Sequence, residues 1–133
     1  MAIEGKIILH VDDDADDRDL LKEFVESIAP HVKVVFAENG LQAMEHLNAS
    51  KETPQLPCLI VLDLNMPYLN GVETFHLIRS DAHFRNIPLV IFSSGEHPSD
   101  KSLFSKEGVT YFKKPSELSS MREIVEQLTA MCT

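Results

Sequence analysis

Ile7-Ile8-Leu9-His10-Val11-Asp12-Asp13-Asp14-Ala15-Asp16-Asp17-Arg18-Asp19 passes in one step from an apolar, β-branched run to six aspartates and one arginine. The run has the composition of a strand covered on both faces. The eight positions that follow carry −5 of the chain's −9, so the acidity is local. Charge concentrated where a buried strand ends calls for a cation, a divalent metal or a lysine. Asp14 is placed to cap a helix. Asp16 and Asp17 fall in its first turn, where the helix dipole favours negative charge.

That first run spans Lys6–Val11, and four further apolar runs follow: Val32–Ala37, Cys58–Leu62, Pro88–Ser93 and Val109–Phe112. Between them, apolar residues recur at helical spacing. Leu21, Phe24, Val25 and Ile28 form one face; Leu41, Met44 and Leu47 a second; Phe75, Leu77 and Ile78 a third; Leu118, Met121, Val125 and Leu128 the last. Pro30 stops the first helix, Asn39-Gly40 and Asn70-Gly71 supply turn chemistry before the second and third, and Ser116 can cap the final one. Ser50–Pro57, with two prolines, is the one loop of note. Residues 98–107 offer only Leu103 and Phe104 as an apolar face, which predicts a short, weakly anchored helix. Five βα repeats imply a doubly wound parallel sheet with right-handed crossovers. The 133 residues suit a single domain, with its core at about 6–131.

With 21 acidic against 12 basic residues and no Lys/Arg patch, a nucleic-acid surface is excluded. No apolar run approaches the ~18 residues of a membrane span, and Met1–Lys6 lacks a signal peptide's features. Cys58 and Cys132 have no metal-type spacing, and Cys58 reads as a free buried thiol suited to a reducing compartment. Together these point to a soluble cytoplasmic protein. The six histidines show no ligand spacing; His10 reads as a core residue, and Met44 and Met66 as packing.

Sites in doubly wound sheets lie at the C-terminal strand edge, near a topological switch point. That edge collects Asp12-Asp13 after the first strand, Asp63 after the third, Ser93-Ser94-Gly95 after the fourth and Lys114-Pro115 after the fifth. Three carboxylates in one cavity repel each other and raise each other's pKa. A hard divalent ion such as Mg²⁺ relieves that repulsion, and a lysine adds a point charge able to pair with a carboxylate or a phosphoryl group. Taken alone, Asp12-Asp13 reads equally as a solvated acidic turn. Asp14, Asp16, Asp17 and Asp19 read as helix capping and solvated first-turn charge.

The chain resembles the receiver domain of two-component response regulators, within the flavodoxin-like, CheY-like superfamily. The resemblance runs from about Lys6 to Met131. It rests on Val-Asp-Asp, Leu-Asp-Leu-Asn-Met-Pro with Asn-Gly following, Phe-Ser-Ser, and Tyr-Phe-Lys-Lys-Pro in that order. It implies an α/β fold of five parallel strands in the order 2-1-3-4-5 with five helices. It further implies a single-domain response regulator that takes a phosphoryl group on Asp63 from a sensor histidine kinase or a histidine phosphotransfer protein. The implied cofactor is Mg²⁺, ligated by Asp13, Asp63 and the backbone carbonyl of Asn65, and by Asp12 largely through water. Ser93 would bond a phosphoryl oxygen and Lys114 would neutralise the phosphoryl charge, while Lys113 points elsewhere. Tyr111 matches the family's aromatic switch, acting with Ser93. The Lys114–Pro115 bond is expected to be cis. Readout would pass to a downstream protein, from a monomer or a phosphorylation-linked homodimer. The loops and the segment from Arg79 to Pro88 are also similar to small response regulators that partner bacterial phytochrome-type kinases.

Two rival functions remain in view. An aspartate-based phosphatase of the haloacid dehalogenase type needs a second aspartate two residues after the nucleophile, where this chain has Asn65. A phosphorylation-independent interaction module needs none of the acceptor, metal and lysine positions that are filled here. A nucleotide-binding flavodoxin-like protein would need a glycine-rich phosphate loop after the first strand, which is missing.

Overall fold

The structure is a computed structural model and describes residues 6–51, 56–66, 69–95 and 98–132, except for the side chains of 98 and 99. Most of the Ser50–Pro57 loop, His97 and the extreme N-terminus lie outside the described residues. Ten elements alternate: β1 Lys6–Val11, α1 Ala15–Ile28, β2 Val32–Ala37, α2 Gly40–Ser50, β3 Leu59–Leu62, α3 Gly71–Ser80, β4 Leu89–Ser93, α4 Pro98–Lys106, β5 Thr110–Lys113 and α5 Leu118–Ala130. The five strands pair in parallel in the order β2-β1-β3-β4-β5. The chain therefore reverses its winding between β1 and β3, and that reversal opens the crevice in which ligands of such sheets bind.

Alternation along each strand divides the core in two. Leu9, Val11, Ile60, Leu62 and Ile91 face α2, α3 and α4 through Leu47, Phe75, Ile78 and Phe104. Ile8, Leu59, Val61, Val90 and Phe92 face α1 and α5 through Leu21, Val25, Met121, Val125 and Leu128. β1, β3 and β4 are thus buried on both faces, which is why their sequences run continuously apolar.

The helix faces are narrower than their apolar spacing suggested. Leu41, Leu77 and Leu118 are exposed. In α2 the inward positions are Gly40, Ala43 and Leu47; in α3 they include Thr74 beside Phe75 and Ile78. α4 is anchored as expected, by the fully buried Phe104, whose ring meets Phe75 edge-on at 5.0 Å. Asp14 caps α1 by accepting the Asp16 and Asp17 amides. Ser116 does not cap α5: Glu117 takes that position without a side-chain bond.

Asn39 and Asn70 are helix caps rather than turn residues, and Asn70 forms a reciprocal capping box with Glu73. The glycines after them are needed for space. A Cβ on Gly71 would lie 2.4 Å from the Asp63 carbonyl oxygen and 2.5 Å from Leu64 Cα. α3 is therefore docked directly beneath the end of β3.

Two expectations are overturned. Cys58 and Cys132 are not free but form a disulfide, with their Cα atoms 5.1 Å apart. Helices of this fold run back towards the N-terminal edge of the sheet, so the end of α5 arrives where β3 begins. A separation of 74 residues hides that proximity in the sequence. The compartment argument drawn from free thiols loses its basis accordingly. The Lys114–Pro115 bond is trans, and no described peptide is cis. The trans isomer is favoured by about 0.5–1 kcal/mol even before proline, and the Lys114 amide still closes the β4–β5 ladder on Ser93.

Candidate functional site

Three residues of the C-terminal edge are held by the last rung of a ladder. The amide of Asp12 donates to Ala37 O, that of Asp63 to Val11 O and that of Lys114 to Ser93 O, each at 2.9 Å. Each side chain therefore leaves a backbone already fixed by the sheet, and the three converge over the β1–β3 crevice.

Lys114 Nζ donates to Asp12 Oδ2 at 2.8 Å, Asp17 Oδ2 at 2.7 Å and Asp63 Oδ2 at 3.3 Å. An ammonium has three N–H donors, and all three are engaged. Asp12 is fully buried and Asp63 nearly so. Asp12 Oδ1 accepts the Asp14 amide at 2.9 Å, and His10 Nε2 lies 3.5 Å from Asp12 Oδ2. Arg18 donates to the Asp12 carbonyl at 2.9 Å and stacks over the Phe36 ring, tying α1 to the same turn.

The two buried carboxyls are pushed in opposite directions. Burial drives Asp12 upward, but hydrogen bonds from His10, Lys114 and the Asp14 amide, with the charge of Lys114, overcome it and hold the group at about 2. Asp63 is raised: burial is the main cause, Lys114 opposes it and the charge of Asp12 adds to it. Lys114 is raised well above the ordinary lysine value: burial pulls it down, and the bonds to Asp12 and Asp17 and the charge of Asp63 outweigh that. Asp12 is thus the saturated carboxylate of the pair and Asp63 the frustrated one.

Carboxylate oxygens of Asp12, Asp13 and Asp63 lie within 4.8 Å of one another. Asp13 is exposed, with no hydrogen bond to another described residue. That donor set fits a hard divalent cation, since all three ligands are oxygen and two are drawn from low-dielectric surroundings. Asn65 follows on the β3–α3 connection, and its amide sits 3.4 Å from Asp63 Oδ1. Ser93, the last residue of β4, is fully buried beside Asp63, and its hydroxyl makes no close hydrogen bond among the described residues. Tyr111 is half-buried, and its hydroxyl donates to the Gly95 carbonyl on the β4–α4 connection. Lys113 is exposed. His10 is a fully buried core residue whose Nε2 is turned towards Asp12.

The site residues read from the sequence therefore meet at one edge. Asp17 is the addition. It was read as a capping and solvated charge, yet it makes the shortest contact to Lys114. A helical turn separates it from Asp13, and only the position of α1 against β5 brings it to the lysine.

Comparison with known proteins agrees with this geometry. Residues 8–126 match the family described as the response regulator receiver domain. The chain is 29% identical over 120 residues to the chemotaxis protein CheY1 of Helicobacter pylori, covering 90% of this chain and 93% of that protein. Among solved structures, the phosphorylated cyanobacterial phytochrome response regulator RcpA superposes with a TM-score of 0.83 at 30% identity, over 92% of this chain and 90% of that one. The Mn²⁺-bound form of the response regulator Rcp1 gives a TM-score of 0.82 at 26% identity, over 94% and 92%. With its motifs on the strand ends where the sheet requires them, the chain belongs to the receiver domain family of two-component response regulators.

Proposed function

We propose that this receiver accepts a phosphoryl group on Asp63 from a sensor histidine kinase or a histidine phosphotransfer protein. The observation that carries the reading is the bridge from Lys114 to Asp12 and Asp63, with Asp13 completing a trio of carboxylates. Asp63 is the acceptor because, of the two buried carboxylates, its charge is the less compensated. Attack on phosphorus spreads that charge over an acyl phosphate within reach of Lys114 and Ser93. A carboxylate is a weak nucleophile, so the approaching phosphoryl charge must be neutralised by fixed groups. Mg²⁺, when bound, would supply the remaining positive charge; Asp13, Asp63 and the Asn65 carbonyl would hold it directly and Asp12 largely through water. The occupied Asp12 carboxylate supports that division.

The Ser93 hydroxyl is buried beside Asp63 without a close hydrogen bond among the described residues, so a phosphoryl oxygen on Asp63 would give it an acceptor. Movement of Ser93 would open space behind β4, and Tyr111, tethered to Gly95, lies on the adjacent strand and can follow it. The α4 segment, held mainly by Phe104, would transmit the change to a partner. Similarity to RcpA makes a phytochrome-type kinase the first donor to test. Asn65 gives no carboxyl for the general acid step of a phosphatase.

The test is incubation with acetyl phosphate and Mg²⁺ followed by intact mass. The wild-type chain gains one phosphoryl group and Asp63→Asn gains none. An unmodified wild type, under conditions that label another receiver, would overturn the reading.

A further inference from the structure

We infer that Asp17 is a latch for Lys114: a positioning residue that holds the lysine in the resting site and competes with the phosphoryl group for it. The inference rests on the proposal that Asp63 is phosphorylated. Its starting point is that all three donors of Lys114 Nζ are taken, by Asp12, Asp17 and Asp63. For Lys114 to bond a phosphoryl oxygen, one of these bonds must be given up.

The three bonds are not equally easy to release. Asp12 is fully buried, and losing Lys114 would leave a carboxylate without its counter-charge in low dielectric. Asp63 is the residue being modified. The side chain of Asp17 is 34% exposed and sits in the first turn of α1, where water can replace the lysine. Asp17 is also outside the trio whose oxygens approach closely enough to share a cation. Its carboxylate therefore does nothing for the metal, repels an incoming phosphoryl group and occupies one N–H of the lysine that must receive it.

In the transfer itself, an Asp63 carboxylate oxygen forms a bond to the phosphorus of acetyl phosphate. The bond from phosphorus to the acetate oxygen breaks, and acetate leaves with that electron pair. Lys114 swings an N–H from Asp17 to a phosphoryl oxygen, and no proton is transferred. Removing the Asp17 charge should thus favour both uptake and retention of the phosphoryl group.

The experiment compares the wild type with Asp17→Asn, Asp17→Ala and Asp17→Glu. It measures the rate of phosphorylation by acetyl phosphate with Mg²⁺, the half-life of the phosphorylated form, and Mg²⁺ affinity by calorimetry. Asp17→Asn and Asp17→Ala should raise the rate about two- to fivefold, the range expected for loss of a partly exposed ion pair. Mg²⁺ affinity should stay near the wild-type value, and Asp17→Glu should restore slow uptake by restoring the charge. Unchanged or slower uptake in Asp17→Asn, with Mg²⁺ binding intact, would overturn the latch. A parallel fall in Mg²⁺ affinity would instead assign Asp17 to the metal and overturn it as well. Failure of the wild type to be phosphorylated would reject the acceptor reading itself, and the latch with it.

Discussion

Lys114 holds two buried carboxylates at once, so its loss should cost more than an ordinary ion pair. Lys114→Met leaves Asp12 and Asp63 buried without their shared counter-charge, and we expect a destabilisation of about 3–5 kcal/mol in urea unfolding. Little change would mean that the bridge is not formed in solution. The two aspartates should also respond differently to pH. Asp12 is depressed to about 2, so its contribution is present above the ordinary carboxylate value of 3.8 and is lost as pH falls through 2. Asp63 is raised, so its charge weakens the fold at neutrality, and that penalty is relieved as pH falls towards 3.8. Asp63→Asn should therefore be more stable than the wild type at neutral pH, with the gap closing towards pH 3.8 while the acid limb below it remains. A gap that is constant with pH would contradict this assignment. At this scale, the sequence announced Asp12, Asp13, Asp63, Ser93 and Lys114 because each sits at a strand end. Asp17 was hidden because its partner comes from β5, 97 residues away.

At the scale of elements, position follows from how closely each helix can approach the sheet. β1 and β2 have the bounds expected from their apolar runs, β3 and β4 start one residue later, and β5 is shifted by one residue at both ends. Continuous apolar runs bounded by loop punctuation are strong signals when strands are covered on both faces. The helix faces were less legible, since Leu41, Leu77 and Leu118 fit the spacing but point away from the sheet. Glycine was the least legible, because close approach leaves no trace in spacing. The backbone beneath Gly71 cannot yield, so Gly71→Ala should push α3 away from the Asp63 carbonyl. A displacement of this order can cost ~100-fold in rate, and we expect a loss of that size in phosphoryl uptake. Gly108→Ala is the control. Its φ of 71° makes a side chain unfavourable, but no atom lies within 4 Å of the added Cβ. It should lower stability by about 1–2 kcal/mol and leave uptake unchanged. Equal effects on uptake would argue against the docking role of Gly71.

Over the whole molecule, the site and the Cys58–Cys132 disulfide lie at opposite ends of the sheet. The disulfide closes a long loop and ties the end of α5 to the start of β3, so reduction should lower stability by about 4 kcal/mol on the loop-entropy estimate. Calorimetry with and without reductant checks this, and phosphoryl uptake should be the same in both states. An unchanged unfolding temperature would show that the bond does not form in solution. Fold class and strand order were legible because an alternating βα pattern admits few arrangements. The cross-link was not, since it depends on where a helix ends. The most direct test of the central claim locates the phosphoryl group. The wild-type chain is treated with acetyl phosphate and Mg²⁺, reduced with borohydride to convert an aspartyl phosphate to homoserine, digested and mapped by mass spectrometry. Homoserine is expected at position 63 alone; conversion at Asp12, Asp13 or another carboxylate, with Asp63 intact, would contradict phosphorylation at Asp63.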